Sequence, residues 1–290
     1  MTVLQRTIDT ESSTRRRFMG IVFLLLGVII YFGFSQTVEG GQVAVFGLTP
    51  GGQEMVLPDW AVPVTGTLNS LAAVSIALGA FQLMRGFGGW TNRILALIVG
   101  IFIFGFLTWA AAGKSLNLAG LFGATLVKSV PLTLGAMSGV LCERAGVVNI
   151  AIEGMMLTAA MIGTLIGSVT NSWLGLVGGI VIGGLLGLLH AWLSVTYKTD
   201  QIVSGTVINI FALGITSFIS AKYLQPNPGL NDPRIFAPWS IPGLSDIPFL
   251  GPLLFNNNLF VYGMFLFLAA LHFALFYTRW GLRLRSVGEH

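Results

Sequence analysis

Eight stretches of apolar residues, most of them about 20 long and bounded by charged or turn-forming residues, restrict this chain to folds whose helices cross a lipid bilayer. They cover residues 18–34, 62–84, 94–112, 129–142, 150–169, 173–195, 202–221 and 259–277. A hydrocarbon core of about 30 Å offers no water to the backbone, so each crossing segment must satisfy its own N–H and C=O groups as a helix. The expected fold class is therefore all-α, a polytopic membrane protein with about eight transmembrane helices. Composition agrees: 15 basic and 11 acidic residues are only 9% of the 290, against about 25% charge in a soluble domain. An ordinary water-soluble protein is excluded. The fourth stretch is the shortest; residues 116–128 before it, between Lys114 and Lys128, read as an amphipathic surface segment, with Pro131 suited to the first turn of the span that follows.

Orientation follows from the basic residues, which concentrate in short cytoplasmic loops. With eight alternating spans, Arg6, Arg15, Arg16, Arg17, Arg85, Arg93, Arg144, Lys198, Arg279, Arg283 and Arg285 share one side, while Lys114, Lys222 and Arg234 fall on the other. Both termini are therefore expected in the cytoplasm. The 35–60 loop, with Glu39, Glu54, Asp59 and no basic residue, belongs outside. The formal net charge of +4 is explained by these flanks, so the expected partner is the lipid bilayer and not nucleic acid. Thr14-Arg-Arg-Arg-Phe-Met resembles a twin-arginine export signal, but no small-residue cleavage site follows the apolar run, and an uncleaved first span is the reading adopted.

Seven of the eleven prolines lie between Lys222 and Asn258, a density no spanning helix survives. This 222–258 segment is expected as an outside loop, either a connector or a surface or lid over a pathway. In the sixth stretch Gly175, Gly179, Gly183 and Gly187 recur every fourth residue and form one ridge for close helix packing; Gly135, Gly139, Gly163 and Gly167 have the same reading.

Few residues are left to carry chemistry. Cys142 is the single cysteine, His190 and His272 stand apart in different spans, and no glycine-rich loop ends in Lys-Ser/Thr. Metal binding and nucleotide hydrolysis by the chain itself are therefore not expected, nor is any cofactor. Polar groups inside spans are expensive and are functional candidates by default. On a helix starting near Gly146, Asn149 and Glu153 would share a face; Gln201 and Asn209, flanked by Thr206, mark a second polar stripe at the start of the seventh span. Amides and hydroxyls suit an uncharged polar solute, because they donate and accept without fixing a net charge. The same groups also hold helices together, and both readings stand at this point.

Three motifs carry a resemblance: Leu141-Cys-Glu-Arg-Ala-Gly-Val-Val-Asn-Ile-Ala-Ile-Glu-Gly-Met-Met-Leu157, Thr199-Asp-Gln-Ile-Val-Ser-Gly-Thr-Val-Ile-Asn209 and Trp280-Gly-Leu-Arg-Leu-Arg-Ser-Val-Gly-Glu-His290. Over residues 116–290 the chain resembles the permease subunit of bacterial ABC importers for nucleosides and simple sugars, in the branch that works with a basic membrane lipoprotein-type binding protein. The resemblance implies an ATP-binding cassette subunit, a second permease subunit and an extracytoplasmic solute-binding lipoprotein as partners, in the bacterial inner membrane. On this reading the two polar stripes, Asn149 and Glu153 on one and Gln201, Thr206 and Asn209 on the other, are expected to face the solute pathway. Gly281, Arg283, Arg285, Gly288 and Glu289 would begin the cytoplasmic loop that contacts the ATPase. The implied organisation is a tail at 1–17, a three-span extension at 18–115, a permease core at 116–278 and the start of the coupling loop at 279–290. Family members continue through the rest of that loop and several further spans, so a longer polypeptide is expected. The rival class is a secondary transporter driven by an ion gradient, with Glu153 as its ion or proton site. An intramembrane enzyme is not expected, since no nucleophile-base constellation is present in the sequence.

Overall fold

The computed structural model describes residues 12–51 and 57–289. Arg6 and Glu54, both used above for orientation, lie outside the described residues. Eight helices among the described residues are long and apolar enough to cross a membrane: Ser13–Thr37, Val64–Met84, Gly88–Ala110, Leu118–Arg144, Ile152–Val169, Ser172–Val195, Gln201–Leu224 and Leu259–Tyr277. The chain forms two compact units, Met1–Phe122 and Gly123–His290.

In the first unit, α1 (Ser13–Val28) begins at Ser12, whose hydroxyl accepts from Arg15 N, and runs on through a π-helical turn at Ile29–Phe34. Two further helices follow, α2 (Val64–Met84) and α3 (Thr91–Ala110). Glycines bring α1 and α2 together: a Cβ at Gly79 would fall 2.8 Å from the Leu24 backbone nitrogen, so any side chain there would push the helices apart. A small sheet, absent from the sequence expectation, caps this unit. Strand β1 (Val43–Gly47) pairs antiparallel with β2 (Trp60–Pro63) and parallel with β3 (Ser115–Asn117). Residues 62–63, assigned to the second span from hydropathy, therefore belong to a strand. Phe46 of β1 is fully buried, and Trp60 stacks on Phe104 of α3 at 5.5 Å and 12°.

The division between units falls inside α4 (Leu118–Arg144). The expected surface segment at 116–128 is corrected here: most of it is the first half of this one helix, and Pro131 sits in the helix interior. Proline is tolerated inside membrane helices; just before it Ser129 Oγ donates to Leu126 O at 2.7 Å, next to the Val127 carbonyl that Pro131 leaves without its helical donor. The second unit continues with α5 (Ile152–Val169), α6 (Ser172–Val195) and α7 (Gln201–Ile219). The glycine ridge of α6 packs on α5: a Cβ at Gly175 would meet Gly163 O at 2.5 Å, and one at Gly179 would meet Ala159 O at 3.1 Å. At Gly187 the ridge is open, with nothing within 4 Å.

The proline-rich segment is an ordered strap. It contains β4 (Trp239–Ser240), α8 (Leu250–Leu254) and β5 (Asn256–Asn257), with β4 and β5 paired antiparallel. Ser172 Oγ donates to Arg234 O at 2.6 Å, and Asp232 N donates to Ser168 Oγ at 3.1 Å, tying the strap to the turn between α5 and α6. The ring of Phe236 meets Trp173 and Phe260 edge-on at 5.1 and 5.2 Å. The unit ends with α9 (Leu259–Tyr277) and the amphipathic α10 (Arg279–Gly288). With cytoplasmic termini and an outside strap, a single cysteine placed at Arg283 in a Cys142→Ser background should resist an impermeant thiol reagent in intact cells, and one at Asn231 should react. The reverse pattern would overturn the orientation.

Candidate functional site

The first two motifs meet where α4 turns into α5. Gly146 has φ of +79°, a conformation open to glycine, and it ends α4. Residues 147–150 are not helical, and α5 starts at Ile152. The expectation of one helix from Gly146 carrying Asn149 and Glu153 on a shared face is corrected: Asn149 lies in the irregular turn. Its Oδ1 accepts from Ala151 N at 3.0 Å, which helps start α5.

Irregular backbone inside an apolar protein needs partners for its polar groups. Here α7 and α6 supply them. Gln201 Oε1 accepts from Val148 N at 2.7 Å. Asn209 donates through Nδ2 to Ile150 O at 2.8 Å and accepts at Oδ1 from Gly154 N at 2.7 Å. His190, 2% exposed, has Nε2 3.4 Å from Val148 O and Nδ1 3.1 Å from Ser204 Oγ. The close approach requires small residues on both sides. A Cβ at Gly154 would lie 2.9 Å from Asn209 Cα, and one at Gly205 would lie 3.1 Å from Ala151 N. The two motifs therefore form one structural joint, in which side-chain amides replace the missing helical hydrogen bonds.

Within this joint the residues selected from sequence separate. Gln201 and Asn209 spend their amides on the turn. The exposed Thr206 donates to Ile202 O of its own helix at 2.8 Å. Asn149 and Glu153 line a cavity of about 500 Å³ between α4 and α5, together with Glu143, Gly135 and Gly139. Sequence reading missed Ser204, whose bond to His190 joins α6 to α7; its place one turn before Ile208 on the buried face of α7 was the available signal.

The third motif forms a corner. Thr278 ends α9 and starts α10, its Oγ1 donating to Ala274 O at 2.6 Å and accepting from Gly281 N at 3.2 Å. Gly281 rests against the carbonyl oxygens of Ala274 and Leu275, and Gly288 against Arg144 O and Gly146 N, so neither site has room for a side chain. The end of α10 thus packs on the turn that ends α4. The Arg285 guanidinium lies 5.3 Å from the Phe276 ring, and its Nε donates to Gly281 O at 3.4 Å. Arg283 and Glu289 are exposed.

Residues 121–290 match the family described as branched-chain amino acid transport system / permease component. The chain belongs to this permease family. Among curated relatives it is 40% identical over 175 residues to a guanosine ABC transporter permease protein of Bacillus subtilis, covering 58% of this chain and 55% of that protein. It is 36% identical over 174 residues to a nucleoside ABC transporter permease protein of Lactococcus lactis, covering 57% and 54%. A putative glucose ABC transporter permease protein of Haloferax volcanii is 33% identical over 172 residues, 59% and 52% of the two chains. The chain thus spans about half the length of the curated relatives it matches. No solved structure matches it. The family match includes the joint, the strap and α10 and leaves α1, α2 and α3 outside. A permease-family chain with eight such helices is a multi-pass protein of the inner membrane.

Proposed function

We propose that this chain is a transmembrane permease subunit of an ATP-driven importer and forms part of the pathway for nucleosides. The observation that carries this reading is the likeness of the second unit to guanosine and nucleoside permeases over the segment that holds the joint and α10. ATP hydrolysis then belongs to a separate ATP-binding subunit, docked near the exposed Arg283 and Glu289 of α10. A second permease subunit completes the pathway, and an extracytoplasmic binding lipoprotein delivers the solute. Asn149 and Glu153 belong to the solute route, while Gln201 and Asn209 hold the turn that positions them; Thr206 lies beside Asn209 on α7. Simple sugars are the second reading, favoured by the likeness to the glucose permease protein. The gradient-driven alternative built on Glu153 has no support from the relatives.

The test is uptake of labelled guanosine in cells lacking their own nucleoside importers, with the complete importer expressed. Uptake should disappear when the ATP-binding subunit is omitted and should be competed by unlabelled nucleosides in preference to glucose. Glu153→Gln should raise KM by about ten- to a hundredfold, the effect of one lost hydrogen bond to a charged group, and uptake should still require the ATPase. Uptake without the ATPase would refute the proposal, and competition by glucose alone would move it to the sugar reading.

A further inference from the structure

A second cavity, of about 470 Å³, opens between α5 and α7 beyond the joint. Its volume lies in the roughly 300–1,000 Å³ range of small-molecule pockets. Six uncharged polar residues line it: Thr164 from α5, Thr216 and Ser217 from α7, Ser220 from the π-helical turn after α7, Gln225 just beyond that turn, and Asn231 from the strap. Apart from Thr216, none of these side chains hydrogen-bonds to another described residue. That is unusual between two spanning helices, where a hydroxyl ordinarily bonds to its own helix, as Thr216 does with Ala212 O at 2.7 Å. Leu157, Met161, Leu213 and Leu224 supply apolar wall, and no charged residue lines the space.

The cavity lies along the face of α5 that carries Glu153. Residues 153, 157, 160 and 164 follow a spacing of three or four and lie along one face of α5. At 1.5 Å per residue, Thr164 stands about 16 Å along the helix from Glu153. On α7, Asn209, Leu213 and Thr216 repeat the spacing, and Ser220 follows in the π-helical turn.

We infer that Thr164, Ser217, Ser220, Gln225 and Asn231 form a binding subsite for a neutral solute that combines hydroxyl and amide-like edges with a flat apolar face, as a nucleoside does. Hydroxyls and amides match sugar hydroxyls and base edges in either hydrogen-bond sense. The leucine and methionine wall takes the face of the base. A carboxylate or phosphate finds no cation here, so nucleotides are excluded. This inference rests on the permease reading and adds to it a ligand position.

The test uses the assembled importer with guanosine as probe. Thr164→Val and Ser217→Ala, each removing a hydroxyl with little change of volume, should raise KM for guanosine about five- to tenfold while kcat changes less than twofold. A helix-packing role would instead lower the amount of assembled protein. In a Cys142→Ser background, the Ser217→Cys variant should react with a small water-soluble thiol reagent, and saturating guanosine should slow that reaction several-fold. Unchanged KM in both hydroxyl variants, or a modification rate indifferent to guanosine, overturns the subsite while ATP-driven uptake persists. Absence of ATP-driven guanosine uptake by the unsubstituted assembly overturns the permease reading, and with it the ligand assigned here.

Discussion

Asn209→Leu is expected to be among the most damaging single substitutions in the second unit. Leucine has the branching and heavy-atom count of asparagine, with a larger volume, and makes no hydrogen bond. The change strands two backbone groups, Ile150 O and Gly154 N, which Asn209 binds at 2.8 and 2.7 Å. A buried group left unsatisfied costs about 1–3 kcal/mol, and with one bond half-buried and the other at the exposed edge of the joint the pair costs about that much in total. The backbones cannot separate to admit water without breaking the contact of Gly154 with Asn209 and Ala212. Thermal unfolding of the detergent-purified assembly should show the midpoint lowered by roughly 5 °C. Thr206→Val, on the same helix, should change stability by no more than about 0.5 kcal/mol. Equal behaviour of the two variants would mean that Asn209 does not hold the turn.

Charge reversal at the exposed end of the third motif should separate assembly from chemistry. Arg283→Glu or Glu289→Arg should leave membrane insertion and guanosine binding intact, because neither side chain supports the corner. Docking of an ATPase depends on complementary charge. Its association should therefore weaken by about tenfold or more, a loss of about 1.4 kcal/mol, with solute-stimulated hydrolysis falling in parallel. Arg285→Glu should act differently. Arg285 lies over Phe276 and bonds to Gly281 O, so its reversal should loosen the corner and reduce the amount of assembled protein. Copurification of the ATPase with each variant, set against total permease, distinguishes the two effects. Unaltered association after reversal of both Arg283 and Glu289 would remove α10 from the docking surface.

The eight crossings were legible because burial in lipid leaves a long apolar run that no local preference can disguise. Pro131 was misplaced because, within a membrane helix, the cost of a missing N–H depends on neighbours that a linear pattern does not show. The start of α5 was misjudged for a related reason. Gly146 at φ of +79° breaks the helix, and the irregular residues after it are supported by Gln201, His190 and Asn209, which are 42 to 59 residues from their partners in the chain. The polar stripe of α7 was visible by its spacing of four, but spacing does not tell which amides are consumed by backbone. The β1, β2 and β3 strands were missed because each has three to five residues and their pairing is set by the helices around them.

The energy source is the most direct test of the permease assignment. Proteoliposomes containing the permeases and the ATP-binding subunit, supplied with the binding lipoprotein and labelled guanosine outside, should accumulate guanosine only with ATP on the nucleotide-binding side. Ionophores that collapse proton and sodium gradients should leave the rate unchanged. Accumulation driven by an imposed ion gradient without ATP, and abolished by Glu153→Gln, would contradict the assignment.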